Sequence, residues 1–474
     1  MTGVRAIAAW PGPALVAGAA AAVAAGMPAA PALVLGAAVA PLLALAQPAR
    51  ATLPRHPVTL AIFAVAAALL LCAHLAALAD AAVLLGARRW PAIVLAAALA
   101  LGVTTARGAA FWRSVALAIG AAALLVVLIV AGLASGLTPW AAWADAAARP
   151  GIVFSPRSAW VTGGERFLRP TTLAFTEAHR IVAVTPGTFR AVEMDGAQRV
   201  VRDWRLNAGD VLSLRPGDTL TVEAGSRLRF EPGKRVPGAP PSGSAWVDAA
   251  PRGSLLRTLA LLATLALGAY ALIPPPGRHA AAAFGITLAL GVGAVAWGVY
   301  ATLVAPEAGL AGSPVEALLA LPRAVPATAL GLGAGALTAL VVLGLLALFV
   351  AAADALRTRV ADVGGPRAQV VWALAVIAAA VAASVWVVDP WTPLAAGLGV
   401  AGAGLAAPRL AAGAGAGRRL GAPVEVVGAL LGAGVFVALS LLEPSRGVEA
   451  LGAWPVLVAA PIAFGVVSAL RSTH

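Results

Sequence analysis

Lysine and cysteine are nearly missing from this sequence: it has one of each, Lys234 and Cys72, beside 32 arginines. A lone cysteine inside an apolar run excludes a disulfide framework within one chain and any multi-cysteine metal or iron–sulfur site. It also leaves the redox compartment unread. The preference for arginine, together with the excess of alanine, glycine and proline, fits the codon bias of a GC-rich bacterial genome and is not read as chemistry. Charge is scarce as well. Only 11% of residues are charged while 61% are hydrophobic, whereas soluble domains run near about 25% charged. That apolar excess calls for a bilayer as solvent.

Catalytic signatures are also lacking. There is no Walker A loop, no HExxH pair and no Gly-x-Ser-x-Gly elbow. The five histidines, His56, His74, His179, His279 and His474, lack metal-ligand or haem-ligand spacing on facing helices. The sequence therefore points to no catalytic residue and no metal site. It names no cofactor, since a pigment, haem, quinone or lipid held by apolar walls leaves no motif.

Apolar runs are what the chain has in abundance. A helix needs about 20 such residues to cross the hydrocarbon core. Twelve candidate runs are bounded by Arg, Pro or Gly clusters: Pro13–Gly26, Pro31–Gln47, Pro57–Ala79, Trp90–Ala106, Trp112–Leu137, Ser254–Ile273, Ala280–Val304, Ala327–Leu356, Ala368–Val388, Trp391–Ala407, Pro423–Leu442 and Val448–Leu470. The first two are short. The opening stretch reads as a retained helix rather than a cleaved leader, because apolar segments simply continue after it.

Arginine placement tests this list. With the N-terminus inside, thirteen arginines of the short loops and ends, among them Arg50, Arg55, Arg357, Arg359, Arg418 and Arg419, fall on the cytoplasmic side, and Arg88, Arg89, Arg257, Arg323 and Arg446 fall outside. The inverse orientation would strand the larger set. The same asymmetry accounts for the net charge of +13 without invoking nucleic acid. The expected location is the bacterial inner membrane, both termini cytoplasmic.

Residues 138–253 break the pattern, with no spanning run and with fifteen basic and eleven acidic residues. Asp195-Gly196 between two strand-like runs predicts a hairpin. Further strand-like runs at Val211–Leu214, Thr219–Val222 and Arg227–Phe230, separated by Arg-Pro-Gly-Asp and Glu-Ala-Gly-Ser turns, predict a small sandwich or barrel. A Pro-rich arm at 231–244 leads back to the bilayer. The expected architecture is an all-α polytopic membrane bundle of about 10–12 transmembrane helices with an inserted extracytoplasmic all-β domain. About five spans lie in 1–137 and seven in 254–474.

Ionisable residues within a membrane segment cost about 2.5 to 3.5 kcal/mol on insertion scales, so each is a candidate. They are His74, Asp80, Asp354 and Glu425, with Glu316 in a short outer segment. His74 and Asp80 are about 240° apart around one helix and do not share a face; Asp354 stands three residues before Arg357, an ordinary i,i+3 pair. For His74 and Asp80, pairing with a neighbouring helix is the plainer reading, and Glu425 lies within a few residues of the cytoplasmic boundary. Gly331, Gly333 and Gly335, and Gly397, Gly399, Gly402 and Gly404, place small residues where helices pack closely. In the β-rich segment His179, Glu177, Arg180, Asp203 and Asp210 are candidates for convergence, although a solvated domain would look the same. Arg235, Trp140 and Trp246 are candidates for partner docking, the tryptophans also suiting the headgroup level.

The leading functional expectation is a non-catalytic subunit or scaffold of a bacterial cell-envelope membrane complex, its partners the lipid bilayer and other proteins of that complex. The alternatives are a transporter or flippase, lined by groups such as Thr104, Thr287 and Thr338, and a membrane-embedded transferase acting on a lipid.

Overall fold

The structure, a computed structural model, describes residue 16 and residues 30–43, 56–105, 109–148, 164–166, 171–195, 198–223, 226–231, 234, 237, 255–272, 280–304, 315, 318–319, 321–322, 334–360, 366–387, 390–413, 422–442 and 454–472. Contacts divide the chain into a unit made of Met1–Pro150, Pro251–Gly309 and Ser313–His474, and a second made of Gly151–Ala250 with Leu310–Gly312.

The first unit is helical. Its elements are α1 (Ala30–Leu43), α2 (Pro57–Leu84), α3 (Arg89–Thr105), α4 (Ala109–Ser135), α5 (Pro139–Ala148), α6 (Leu255–Leu272), α7 (Ala280–Val304), α8 (Ala334–Val360), α9 (Pro366–Ser384), α10 (Trp391–Ala401), a π-helical turn Gly402–Ala406, α11 (Ala407–Gly413), α12 (Ala422–Leu442) and α13 (Pro455–Ser472). Among the described residues seven helical stretches are long and apolar enough to cross a membrane, and shorter apolar helices at Ala32–Leu43, Arg89–Thr105, Gln369–Ser384 and Pro455–Leu470 accompany them. Of the first expected run only Val16 is described.

Helix α2 is the centre of this unit. Pro57 starts it at a position where a missing N–H costs nothing, and the ring nitrogen Nδ1 of His56 accepts from Val58 N–H at 3.3 Å. From Leu70 to Ala81 every side chain is buried. A stretch this apolar can be enclosed by other helices at little desolvation cost, and here it is. Helices α3, α8, α9, α10 and α12 pack around it. The outer helices turn Leu95, Phe111, Leu133, Leu430 and Leu441 outward, as lipid-facing surfaces do.

Close approach of helices rests on glycine. A Cβ on Gly268 of α6 would lie 2.6 Å from the carbonyl oxygen of Leu398, so any side chain there drives α10 away. The cluster at 397–404 behaves alike: Gly397 lies against the Ala66 backbone and Gly404 against Ala429 and Ala433. Gly335 differs, with nothing near it, while Gly331 and Gly333 lie outside the described residues. Residues 139–148, at the start of the segment expected to be soluble, form α5, which packs on α7 and belongs to the helical unit.

The second unit is antiparallel throughout. Its strands are β1 (Gly164–Arg166), β2 (Thr171–Ala174), β3 (His179–Ala183), β4 (Gly187–Asp195), β5 (Gln198–Leu206), β6 (Val211–Leu214), β7 (Thr219–Val222) and β8 (Arg227–Arg229). They form two sheets with orders β1-β8-β3-β6 and β2-β7-β4-β5. Ile181, Leu212, Leu214 and Leu228 of the first sheet and Phe189, Ala191, Leu206, Leu220 and Val222 of the second share one core. This strand order is the eight-stranded jelly roll. The hairpin pairs β4 with β5 from Gly187↔Leu206 to Asp195↔Gln198.

An eight-residue repeat builds three of its corners. Asn-Ala-Gly-Asp-Val-Leu-Ser-Leu (207–214), Arg-Pro-Gly-Asp-Thr-Leu-Thr-Val (215–222) and Glu-Ala-Gly-Ser-Arg-Leu-Arg-Phe (223–230) align without a gap, and β6, β7 and β8 alternate between the sheets. In the first two copies glycine sits at positive φ (Gly209 96°, Gly217 93°), where only glycine is unstrained. Asp210 and Asp218 each accept, at 2.7 Å, the N–H of the residue opening the turn. Each corner then clips onto an earlier strand end: Gly209 N–H donates to Ala183 O, and Gly217 N–H to Phe175 O, both at 2.8 Å.

Overpacking a helix contact costs about 1–3 kcal/mol, whereas Gly→Ala in an open helix position gains up to about 1 kcal/mol. Gly268→Val is therefore expected to lower the thermal midpoint of the detergent-solubilised protein by several degrees, and Gly335→Ala to leave it unchanged or raise it. Tryptophan-fluorescence melting measures both.

Candidate functional site

Among the described residues, three polar ties centred on charged side chains join helices of this unit, two of them reaching across long stretches of sequence. The first forms where α2 ends. Asp80, in its last turns, pairs with Arg89 at the start of α3. The second amino group of Arg89 donates to Val387 O at 2.5 Å, just past α9. A carboxylate near a helix C-terminus is unfavourable by itself; a guanidinium offering two donor directions neutralises it and caps a third segment at once.

The second tie lies near the end of α8. Asp354, fully buried, accepts from Arg357 Nε at 3.1 Å, and Arg357 Nη1 donates to Gln369 Oε1 on α9 at 3.1 Å. The third is centred on Arg409. This buried side chain on α11 donates to Ala271 O at the end of α6 at 3.3 Å and interacts electrostatically with Tyr270 and with Glu425 on α12. It follows directly on the π-helical turn, whose wider winding is common at functional positions. Two neutral anchors complete the set: Trp297 Nε1 to Leu318 O and Tyr300 hydroxyl to Leu137 O, each at 2.8 Å.

These ties take up Asp80 and Asp354, each paired with an arginine, while Glu425 on α12 lies within electrostatic reach of Arg409. His74 is buried on α2 beside Cys72. Trp140 on α5 is 81% exposed. Glu316, Arg235 and Trp246 lie outside the described residues. Arg409, the residue around which the third tie is built, is absent from the sequence-based candidates because it reads there as one more cytoplasmic loop arginine. Its position five residues past the glycine cluster, with the apolar run carrying on to Ala412, was the available signal. Among the described residues no group of three His, Cys, Asp or Glu side chains is placed to hold a metal ion.

In the jelly roll, part of the expected convergence forms. His179 is buried between the rings of Phe175 and Phe230, with centroids at 5.4 and 6.3 Å, and its Nε2 lies 3.7 Å from Glu177. Nearby, Glu231 accepts from the chain's single lysine, Lys234, at 2.6 Å and from Arg180 N–H at 3.3 Å, while Lys234 also donates to Ala178 O at 2.6 Å. The clasp fastens the segment after β8 to the turn before β3. Asp203 and Asp210 stay apart from it. Asp203 pairs with Arg190 at 2.8 Å on the second sheet, and Asp210 is consumed by its corner.

The Lys234 ammonium, with lesser help from the Arg180 amide, holds the Glu231 carboxyl below the ordinary glutamate range; likewise the Arg190 guanidinium holds Asp203 below the aspartate range. A depressed carboxyl stabilises the folded state above its unfolded value, and that contribution fades as pH falls through the folded value. Protection of the amides of residues 175–180, taken relative to their intrinsic exchange rates at each pH, is therefore expected to fall below about pH 4 in the native chain. In Lys234→Met it should already be low at pH 7, with little further change on acidification.

The first tie is partly shielded, with side-chain exposures of 11% for Asp80 and 31% for Arg89. Removing one partner leaves a poorly solvated charge, so Asp80→Asn and Arg89→Gln should each lower the melting temperature. The double variant should lose less than the sum, giving a coupling of roughly 1–2 kcal/mol, at the modest end because Arg89 reaches solvent. Protein-family models and curated proteins yield no match to the chain, so its functional reading rests on this geometry.

Proposed function

We propose that the chain is a non-catalytic membrane subunit or scaffold of a bacterial cell-envelope complex, its bundle anchoring the jelly roll outside the cytoplasm for docking of a partner. The reading takes the shorter apolar helices as crossings too, giving about 10–12, with both termini cytoplasmic. One observation carries it. The buried ionisable side chains Asp80 and Arg409 are engaged in contacts between helices of the bundle itself, and buried Asp354 is held by Arg357 of its own helix, which bonds Gln369 on the next, an arrangement suited to holding helices together rather than to passing a cargo. The backbone-to-backbone contacts at Gly268 and Gly397 favour rigidity in the same way. Arginine asymmetry across the short loops supports the orientation.

The π-helical turn beside Arg409 favours a second reading, a transporter or flippase in which residues 391–413 bend during the cycle.

Gentle extraction from native membranes, native sizing and mass spectrometry decide between the two. The scaffold reading expects stoichiometric protein partners with the 46.8 kDa chain, lost when 151–250 is replaced by a short linker while the bundle persists. A lone monomer or homodimer would sink it and favour the transporter. Sidedness has its own check: a Ser213→Cys variant should react with a membrane-impermeant maleimide added outside spheroplasts.

A further inference from the structure

We infer that the outer edge of β5 is a docking strand, which takes up an extended acidic segment of a partner protein as a fifth strand of the β2-β7-β4-β5 sheet. The inference rests on the scaffold reading and names the place and chemistry of its partner contact.

Strand β5 ends its sheet, pairing among the described residues with β4 alone. Edge strands present unpaired backbone N–H and C=O groups, and proteins blunt them by keeping them short, bulging them or covering them. Among the described residues of its unit none of these three devices is applied to β5, and charge is the one guard it carries. It runs nine residues, Gln198–Leu206, in unbroken register with β4. Val201 in its middle is 60% exposed. The hairpin also outruns the sandwich: β7 meets β4 only from Phe189 to Val192, so the tip beyond Val192 is a two-stranded ribbon. A strand of this length with its backbone presented is the template used in strand addition, where main-chain hydrogen bonds supply affinity and alternate side chains supply specificity.

Charge selects the occupant. The strand carries Arg199, Arg202 and Arg205 against a single acid, Asp203, and Asp203 is already held by Arg190. Arg205 is exposed, and Arg202 has only a 3.4 Å contact with Glu193. A second copy of β5 would bring three more arginines to the same edge, and like charges facing across strands are destabilising. An incoming strand with an acidic residue opposite Arg205 and an apolar one opposite Val201, which share a face, meets both requirements. The match also favours a protein segment over a polyanion without a peptide backbone, since the unsatisfied groups at this edge are backbone donors and acceptors.

The test uses the full chain in zwitterionic nanodiscs and follows amide exchange of residues 198–206. The probe is a capped peptide of roughly ten residues with Glu and Val four positions apart among threonines, so that both lie on one face, with the same peptide carrying Lys for Glu and soluble polyphosphate as comparisons. The acidic peptide is expected to slow exchange about tenfold or more at alternate β5 amides, the Lys peptide and polyphosphate not. An Arg202→Glu/Arg205→Glu variant, whose exchange elsewhere in 171–230 reports that the domain is folded, should reverse the preference of the two peptides. Equal effects of both peptides, slowing by polyphosphate, no slowing, or β5 protection that rises with protein concentration alone would each overturn the inference, the last by seating a second copy there. Native extraction of the same variant separates this from the broader reading. If stoichiometric partners stay bound despite the reversal, the edge assignment fails and the scaffold stands; if the native chain has none, the scaffold fails.

Discussion

The burial of residues 70–81 of α2 on every side is the constraint from which the helical unit follows. A helical stretch so enclosed must find a partner within the protein for every polar group it carries. Asp80 meets that demand through Arg89, which in turn fixes where α3 begins and where the chain leaves α9. Because α3, α8, α9, α10 and α12 all pack on α2, a displacement of one is felt by the others through a common surface. Glycine sets how near they can come: Gly397 meets the Ala66 backbone of α2 itself, and Gly268 brings α6 onto α10.

The same burial explains what was legible in the sequence. Length and apolar content locate helices well, and the expected run Ala280–Val304 coincides with α7. Periodicity was less useful for α2, whose apolar residues go all the way round. The alternating pattern placed β6 and β7 to the residue and β8 to within one, because leucine or valine points inward at every second position. Strands β1, β2 and β3 escaped: they are short, lie among turn-forming residues, and are defined by pairing with strands about 35 to 65 positions onward. The octapeptide repeat was visible in principle, yet it emerges only when turns and strands are aligned as one unit rather than read separately.

Candidate residues fared according to how local their partners are. Asp354 and Arg357 are three apart, so their pairing could be read from the chain. Arg89 was noted only as an exception to the arginine asymmetry, and its bond to Asp80 across a tight turn gives that exception a physical reason. The convergence of Ala271, Arg409 and Glu425 joins three helices and leaves no mark in spacing. Lys234 stood out as the sole lysine; its compact ammonium spans a carbonyl and a carboxylate in one clasp, a role for which a broad planar guanidinium is less suited.

The alternation of β6, β7 and β8 between sheets bears on how the jelly roll assembles. No two of these successive strands pair with each other, so there is no run of local hairpins to zip up. Only β4 and β5 offer a nearby nucleus. The rest must wait for partners far along the chain, and β1 cannot be closed in until β8 exists. Such high contact order slows folding and lengthens the time that sheet edges stay open. During synthesis the ribosome will have moved on toward α6 before the sandwich can shut, so the second half of the membrane bundle is begun before the domain that interrupts it has closed.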